Sequence, residues 1–206
     1  MNLIDGLIED RWLKTPRITE AFRDVDRADF MPEDIKHLAG QNLAFPIGWG
    51  QTISQPLVVA FMLEKLQPRI GDKILDIGSG SGWTTALLSH IVGEKGKVIA
   101  IEIIQELKNF GEKNVSKYNF IEKGIAKFVC ANGIKGFQEQ APYDKILVSA
   151  SVQNHGIPQA WKDQLKTNGR IVVPIKSSIW VFIKKSEQKF EKQEYSDFAF
   201  VPLVRV

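Results

Sequence analysis

Gly78, Gly80 and Gly82 fall at alternate positions between an apolar run, Ile74 to Ile77, and a stretch from Thr84 to Ile91 that reads as a helix. A strand, a tight turn and a helix in that order set a glycine-rich backbone beside a helix start. In an open parallel sheet this crevice is where nucleotide-like ligands bind. Glycine at 78 and 80 lets backbone approach a ligand with no Cβ in the way, and the first turn of a helix offers unpaired N–H groups. Lys97 to Ile101 is a second strand-like run. It ends at Glu102, about 20 residues beyond the turn, where a carboxylate can accept hydrogen bonds from ribose hydroxyls. A dinucleotide fingerprint would need a third glycine at 83, but Trp83 stands there and its indole would obstruct helix-to-strand packing. That disfavours a nicotinamide oxidoreductase.

Other reactive side chains suggest less. Ser54 precedes Gln55-Pro56 at the start of a helical pattern, so an N-cap is its plainest role. His37, His90 and His155 show no metal-ligand spacing, and His155, in a polar loop, reads as a solvated residue. Cys130 ends a strand-like run and reads as core, and a lone cysteine excludes an internal disulfide. Trp49, flanked by glycines, is a poor core residue and a candidate to cover a ligand.

These residues need a scaffold. With 206 residues, 44% of them hydrophobic, the chain can bury one substantial core, and we read one domain over 1–206 with 1–56 as a helical and loop appendage to a catalytic core at 57–206. A net charge of +3 is mild, and the lysines between 162 and 192 are scattered, which does not argue for nucleic acid. Asp5, Glu9 and Asp10 do not suit a signal peptide, and no apolar run approaches the roughly 18 residues of a membrane span. A cytoplasmic protein is the expectation.

Apolar spacing predicts a helix over Leu3 to Ile8 and a second from Thr15-Pro16, with Ile18, Phe22 and Val25 on one face. Residues 39–56 carry Gly40, Pro46, Gly48, Gly50 and Pro56 and read as a long loop. A helix follows from Pro56. Strands are predicted near 73–77, 97–101, 126–130, 144–149, 170–175, 179–185 and 198–204, with helices near 83–92, 104–115 and 157–166 and a polar connection at 186–197. The fold class is α/β: a doubly wound, mostly parallel seven-stranded sheet with an antiparallel edge hairpin and N-terminal helices.

G-x-G-x-G with a downstream acid is the pattern of S-adenosylmethionine-dependent methyltransferases. Phe45-Pro46-Ile47-Gly48-Trp49-Gly50-Gln51-Thr52-Ile53-Ser54-Gln55-Pro56 resembles the P-I-G-x-G-Q-T-I-S-x-P loop of protein-L-isoaspartate O-methyltransferases. The turn at 74–83 resembles that family's cofactor loop, and Ala141-Pro142-Tyr143-Asp144 its A-P-Y/F-D segment. Val25-Asp26-Arg27-Ala28-Asp29-Phe30-Met31-Pro32-Glu33 is similar to V-P-R-E-x-F-V-P-E, and Phe200-Val201-Pro202-Leu203 to a terminal F-V-P-L.

The resemblance implies a Rossmann-like methyltransferase fold and methyl transfer from S-adenosyl-L-methionine to the free α-carboxylate of L-isoaspartyl residues, starting repair through a succinimide. It implies Ser54 as the catalytic residue that orients the carboxylate. Cofactor contacts would come from Ile53, Ser54, Asp76, Gly78, Ser79, Gly80, Glu102, Asn132, Gly133 and Ser149. Substrate contacts would come from Ile47, Gly48, Gln51, Thr52, Ser54, Val201 and Leu203. The partner would be an isoaspartyl protein or peptide, met by a monomer, with no metal, nucleic acid or membrane. A carboxylate is ionised at neutral pH, so the lack of an evident acid–base pair suits this chemistry.

The chain departs from the family in three places. Asn132-Gly133 replaces an Asp-Gly pair, Ala39-Gly40-Gln41-Asn42 lacks the usual aromatic residue and aspartate, and 149–158 is lengthened. A different peptide carboxylate or a small molecule as acceptor, and a non-catalytic partner-binding module, stand as alternatives.

Overall fold

The computed structural model describes residues 2–153 and 156–203. Helices α1 (Leu3–Glu9) and α2 (Pro16–Asp24) come first. Asn2 caps α1 by accepting the Asp5 N–H at 2.9 Å. α2 opens on Pro16, whose fixed φ and missing N–H suit a first helical position, and turns Ile18, Ala21 and Phe22 inward. Two 3-10 segments, Arg27–Phe30 and Glu33–Leu38, lead to a hairpin of β1 (Phe45–Gly48) and β2 (Gln51–Ile53), then to α3 (Pro56–Leu66).

The main sheet is made by β3 (Lys73–Ile77), β4 (Lys97–Glu102), β5 (Ala126–Cys130), β6 (Tyr143–Val148), β7 (Leu165–Ile175), β8 (Ser178–Lys184) and β9 (Phe190–Tyr195). Its connections carry α4 (Trp83–Val92), α5 (Gln105–Ser116) and α6 (Gln159–Gln164). Spatial order is β5-β4-β3-β6-β7-β8-β9. The first five are mutually parallel, and β8 and β9 add antiparallel pairings. Strand order reverses beside β3: the chain winds out to β5, then returns to place β6 on the other side. Such a switch point opens a crevice at the carboxyl ends of the strands.

Alternation along each strand divides the core. Ile74, Val98 and Leu147 face a cluster with α2, α3 and α4, whereas Leu75, Ile77, Ile99 and Ile146 face one with Trp161 of α6. Burial on both faces explains the continuous apolar runs of β3 and β4. Among the described residues no helix is long and apolar enough to cross a membrane, and no group of three His, Cys, Asp or Glu could hold a metal ion.

Several sequence expectations need correction. The irregular loop at 39–56 contains the β1–β2 hairpin. The glycines that read as breakers form its turn, where Trp49 and Gly50 both take positive φ, +51° and +69°, as a tight two-residue hairpin turn requires. Among the described residues the expected strand from 198 shows only an isolated bridge between Pro202 and Ser151, and the last strand is β9, at 190–195. Its outer positions are exposed and polar, so apolar content does not reveal it. Phe198 instead stacks on Phe61 of α3 with ring centroids 5.0 Å apart, outside any strand. α6 is shorter than 157–166, and β7 takes over from Leu165. Cys130 is exposed, because β5 is the edge strand on that side. His155 and Val204 lie outside the described residues.

Candidate functional site

A cleft of about 750 Å³, measured to its open mouth, lies at the carboxyl ends of β3, β4 and β6. Its floor is the turn after β3. Gly82 caps α4 with φ +86°, and a Cβ there would lie 2.7 Å from the Gly111 carbonyl oxygen; one on Gly111 would lie 2.6 Å from the Gly80 oxygen. Two facing glycines thus let α5 pass directly beside the turn. Glycine inside a helix costs about 1 kcal/mol relative to alanine, so Gly111 was a readable sign of close approach that sequence reasoning passed over.

Glu102 locks the turn from β4. One carboxylate oxygen accepts the Gly80 N–H at 2.9 Å, and the other accepts Ile103 and Ile104 N–H groups at 2.8 and 3.2 Å. The carboxylate is 6% exposed and lines the cleft, which leaves acceptor capacity for hydroxyl groups of a ligand. Ser79 also lines the cleft, with its buried Oγ unpartnered among the described residues. An orphaned buried hydroxyl beside a carboxylate suits a ligand that carries both donors and acceptors, such as a nucleoside.

Gly78, Gly133 and Ser149 stand with Ser79, Gly80 and Glu102 in the lining; Ile53 and Ser54 reach it from β2 and the residue after it. Asp76 and Asn132 are placed otherwise. Asp76 is fully buried beneath the floor, where one oxygen accepts Thr84 and Thr85 hydroxyls at 2.9 and 2.7 Å. Burial pushes its pKa up to about 6, partly offset by those two donors. It ties α4 to β3. The Asn132 side chain accepts the Ile134 N–H at 3.0 Å, capping a short 3-10 turn, while the neighbouring Gly133 forms the wall.

The other half of the cleft comes from distant segments. Gln51, Thr52 and Ser54 supply one wall; Val201 and Leu203 supply another. Ile47 is buried behind the first wall, its Cδ1 3.4 Å from where a Cβ on Gly80 would sit, and Gly48 opens the hairpin turn with φ +91°. Ser151 holds the second wall: its N–H donates to the Val201 carbonyl and its own carbonyl accepts the Leu203 N–H, both at 2.8 Å. Trp49, at the hairpin tip, is 54% exposed and outside the lining.

Ser54 does not cap α3. Gln55 holds the cap position without a side-chain bond, and the Leu57 N–H is taken by Asn42 Oδ1 at 3.0 Å. Ser54 lines the cleft, and its hydroxyl makes no hydrogen bond to a described residue. Its backbone is anchored by a residue that sequence reasoning left without a role. Arg27, 5% exposed, donates to the carbonyls of Ala39 and Gln41 at 3.1 Å, Leu43 at 2.7 Å and Ser54 at 3.1 Å. The rings of Phe45 and Trp83 lie 5.6 and 5.3 Å from its guanidinium carbon. Burial lowers its pKa to about 10, so it stays a cation at neutral pH. No carboxylate pairs with it among the described residues.

Comparison with known proteins agrees with this geometry. The family profile described as protein-L-isoaspartate(D-aspartate) O-methyltransferase matches residues 1–206. A protein-L-isoaspartate O-methyltransferase of Methanopyrus kandleri is 35% identical over 98% of this chain and 89% of its own length. A second, from Archaeoglobus fulgidus, is 39% identical over 91% of this chain and 84% of its own. A solved structure from Plasmodium falciparum, assigned to the same family and crystallised with S-adenosyl-L-homocysteine, superposes with a TM-score of 0.87 over 99% of both chains at 24% identity.

Proposed function

The chain belongs to the protein-L-isoaspartate O-methyltransferase family, and from that premise we propose which of its residues carry the S-adenosylmethionine-dependent methylation of isoaspartyl carboxylates. The turn at 78–80, Glu102, Gly133 and Ser149 hold the donor, with Glu102 on the ribose hydroxyls. Asp76 and Asn132 act behind this shell, one fixing α4 and the other shaping the turn before Gly133. Bound S-adenosylmethionine supplies an electrophilic methyl group on a sulfonium and departs as a neutral thioether.

Ser54 donates a hydrogen bond from its hydroxyl to one oxygen of the ionised α-carboxylate of the isoaspartyl residue and so aims the second oxygen at the methyl carbon. An O–CH3 bond forms as the S–CH3 bond breaks, and the bonding pair stays on sulfur. The carboxylate arrives ionised, so no side chain has to remove a proton. Acceleration comes from alignment, which is worth about 7–11 kcal/mol when two reactants are well placed, and from excluding water by the walls at 51–54 and 201–203. The ester then loses methanol to the neighbouring amide nitrogen, and the succinimide hydrolyses in part to normal aspartate.

The observation that carries the role of Ser54 is its hydroxyl, without a hydrogen bond to a described residue in a cleft whose other end fits a nucleoside. The chain works as one cytoplasmic monomer, 1–56 appended to the core at 57–206, with no nucleic-acid or membrane partner. Radiolabelled methyl donor with paired isoaspartyl and aspartyl peptides tests the assignment. Label is expected on the isoaspartyl peptide alone; label on neither, with S-adenosylhomocysteine bound, would move the acceptor to another class.

A further inference from the structure

The antiparallel end of the sheet has two unlike faces. On one, Ile179, Val181 and Ile183 of β8 join the core beside α3. On the other, Trp180 stands opposite Glu194 of β9, Phe182 opposite Lys192, and Lys184 opposite Phe190. This second face borders a groove of about 1540 Å³, measured to its mouth and also lined by Lys162 of α6, Lys176 and Lys189. Glu194 is the one acid in that lining against four lysines. Trp180 and Phe190 are half-buried, and the ammonium of Lys192 lies 5.9 Å from the Phe182 ring centre. Lys184 is turned away from the groove's charge, bonded to the Lys162 and Leu165 carbonyls at 2.8 and 2.9 Å.

The groove adjoins the active cleft by way of a smaller cavity. Gly156 and Ile157 line both it and a smaller cavity beside Ser151 and Val152, and Leu203 lines both that cavity and the cleft. Of the lengthened segment, Ser151 to Gln153 and Gly156 to Pro158 border this route. A chain gripped at the second wall of the cleft can therefore continue past Ile157 onto a surface of aromatic rings and ammonium groups.

We infer that this groove is a secondary docking surface for the protein substrate, and that it takes an acidic segment flanking the isoaspartyl residue. Lys162, Lys189 and Lys192 against the single Glu194 leave two positive charges in excess, which select against basic flanks, and the rings offer apolar contact for the side chains between the acids. The inference rests on the isoaspartyl reading above and extends it from the reacting residue to its neighbours. It also gives the departure there a use, since Ser151 to Gln153, Gly156 and Ile157 border the way from the cleft to the groove.

Three isoaspartyl peptides, alike at the reacting residue and carrying acidic, neutral or basic flanks, test it with the wild-type protein and the triple variant Lys162→Gln, Lys189→Gln, Lys192→Gln. With the wild type, the acidic flank should raise kcat/KM about five- to tenfold over the neutral one, mainly through KM, and about 0.5 M salt should erase the gain. The variant should lose that preference while methylating the neutral peptide at the wild-type rate, which shows that fold and catalysis are intact. Equal kcat/KM for all flanks, or an unchanged preference in the variant, overturns the inference. Competition by a single-stranded oligonucleotide but not by an acidic aspartyl peptide would overturn it too, by assigning the groove to nucleic acid. A neutral peptide left unmethylated by the wild type would instead sink the isoaspartyl reading itself.

Discussion

At one end of the cleft, Gly78 to Gly82 and Glu102 hold one another through backbone N–H groups, and two glycines let α5 press against the turn. At the other end, Ser54 depends on a guanidinium from residue 27, and its facing wall depends on Ser151 gripping residues 201 to 203. The first end is thus built mostly by one βαβ unit, with Gly133 and Ser149 added from beyond it, while the second end, which we read as the acceptor side, is assembled from segments far apart in sequence. A donor is the same molecule in every turnover, and a short, rigid unit suffices for it. An acceptor embedded in varied proteins calls for walls that can differ independently of the donor site, and Ala39 and Gln41, where this chain departs from the family, meet the same guanidinium as Ser54.

Removing the link at Arg27 should give the largest effect. Arg27→Met strands four carbonyls and is expected to lower unfolding free energy by about 2–4 kcal/mol, read by urea denaturation. It should also cut kcat/KM for the isoaspartyl peptide far more than affinity for S-adenosylhomocysteine. Arg27→Lys should restore only part, because three ammonium donors cannot serve four carbonyls in the guanidinium's plane. If both halves of the cleft weaken equally, their separation is wrong.

Ser54→Ala comes next. Turnover of the peptide should fall on the order of 100-fold through misalignment, with S-adenosylhomocysteine affinity within about twofold of wild type by calorimetry. Full activity in that variant would give the orienting role to backbone. The mirror experiment is Glu102→Ala, which should weaken S-adenosylhomocysteine by about 1–3 kcal/mol while the peptide KM at saturating donor changes little. Unchanged calorimetric affinity would remove Glu102 from the site.

The smallest effect belongs to Asp76. Its folded pKa is raised to about 6, so the folded state holds a proton that the unfolded carboxyl releases near pH 4. The stability this gives is complete below about pH 4 and is lost as pH climbs through 6. Between pH 5 and 7 the wild type should lose about 1 kcal/mol from this group, and Asp76→Asn should flatten that slope in denaturation curves. A slope unchanged in the variant would place its cause elsewhere.

The same division explains what was legible in the sequence. The donor half could be read because a strand, a glycine turn, a helix and an acid about 20 residues on are local signals with one geometric meaning. Arg27 could not, since nothing near it in sequence marks a guanidinium that will meet carbonyls from 39 to 54. Asp76 was expected among the cofactor contacts through the family resemblance alone; only its bonds to the Thr84 and Thr85 hydroxyls show that it faces α4. The hairpin hid behind glycines and prolines that signal irregular chain in general but a two-residue turn in this register. β9 hid because an edge strand with polar outer positions lacks the apolar pattern of its neighbours.

Val201 and Leu203 reach the cleft from far along the chain, and a polypeptide leaves the ribosome N-terminus first. Glu102 and its turn emerge early, and their partners in β3, β4 and α5 are complete by residue 116. The wall held by Ser151 requires residue 203. At about 5–20 residues per second, the stretch from 116 to 203 takes on the order of 4–17 s to synthesise. Gly133 and Ser149 join the nucleoside side of the cleft within that interval, whereas the wall at 201–203 comes later still, so the side read as gripping a peptide closes after the side read as holding the donor.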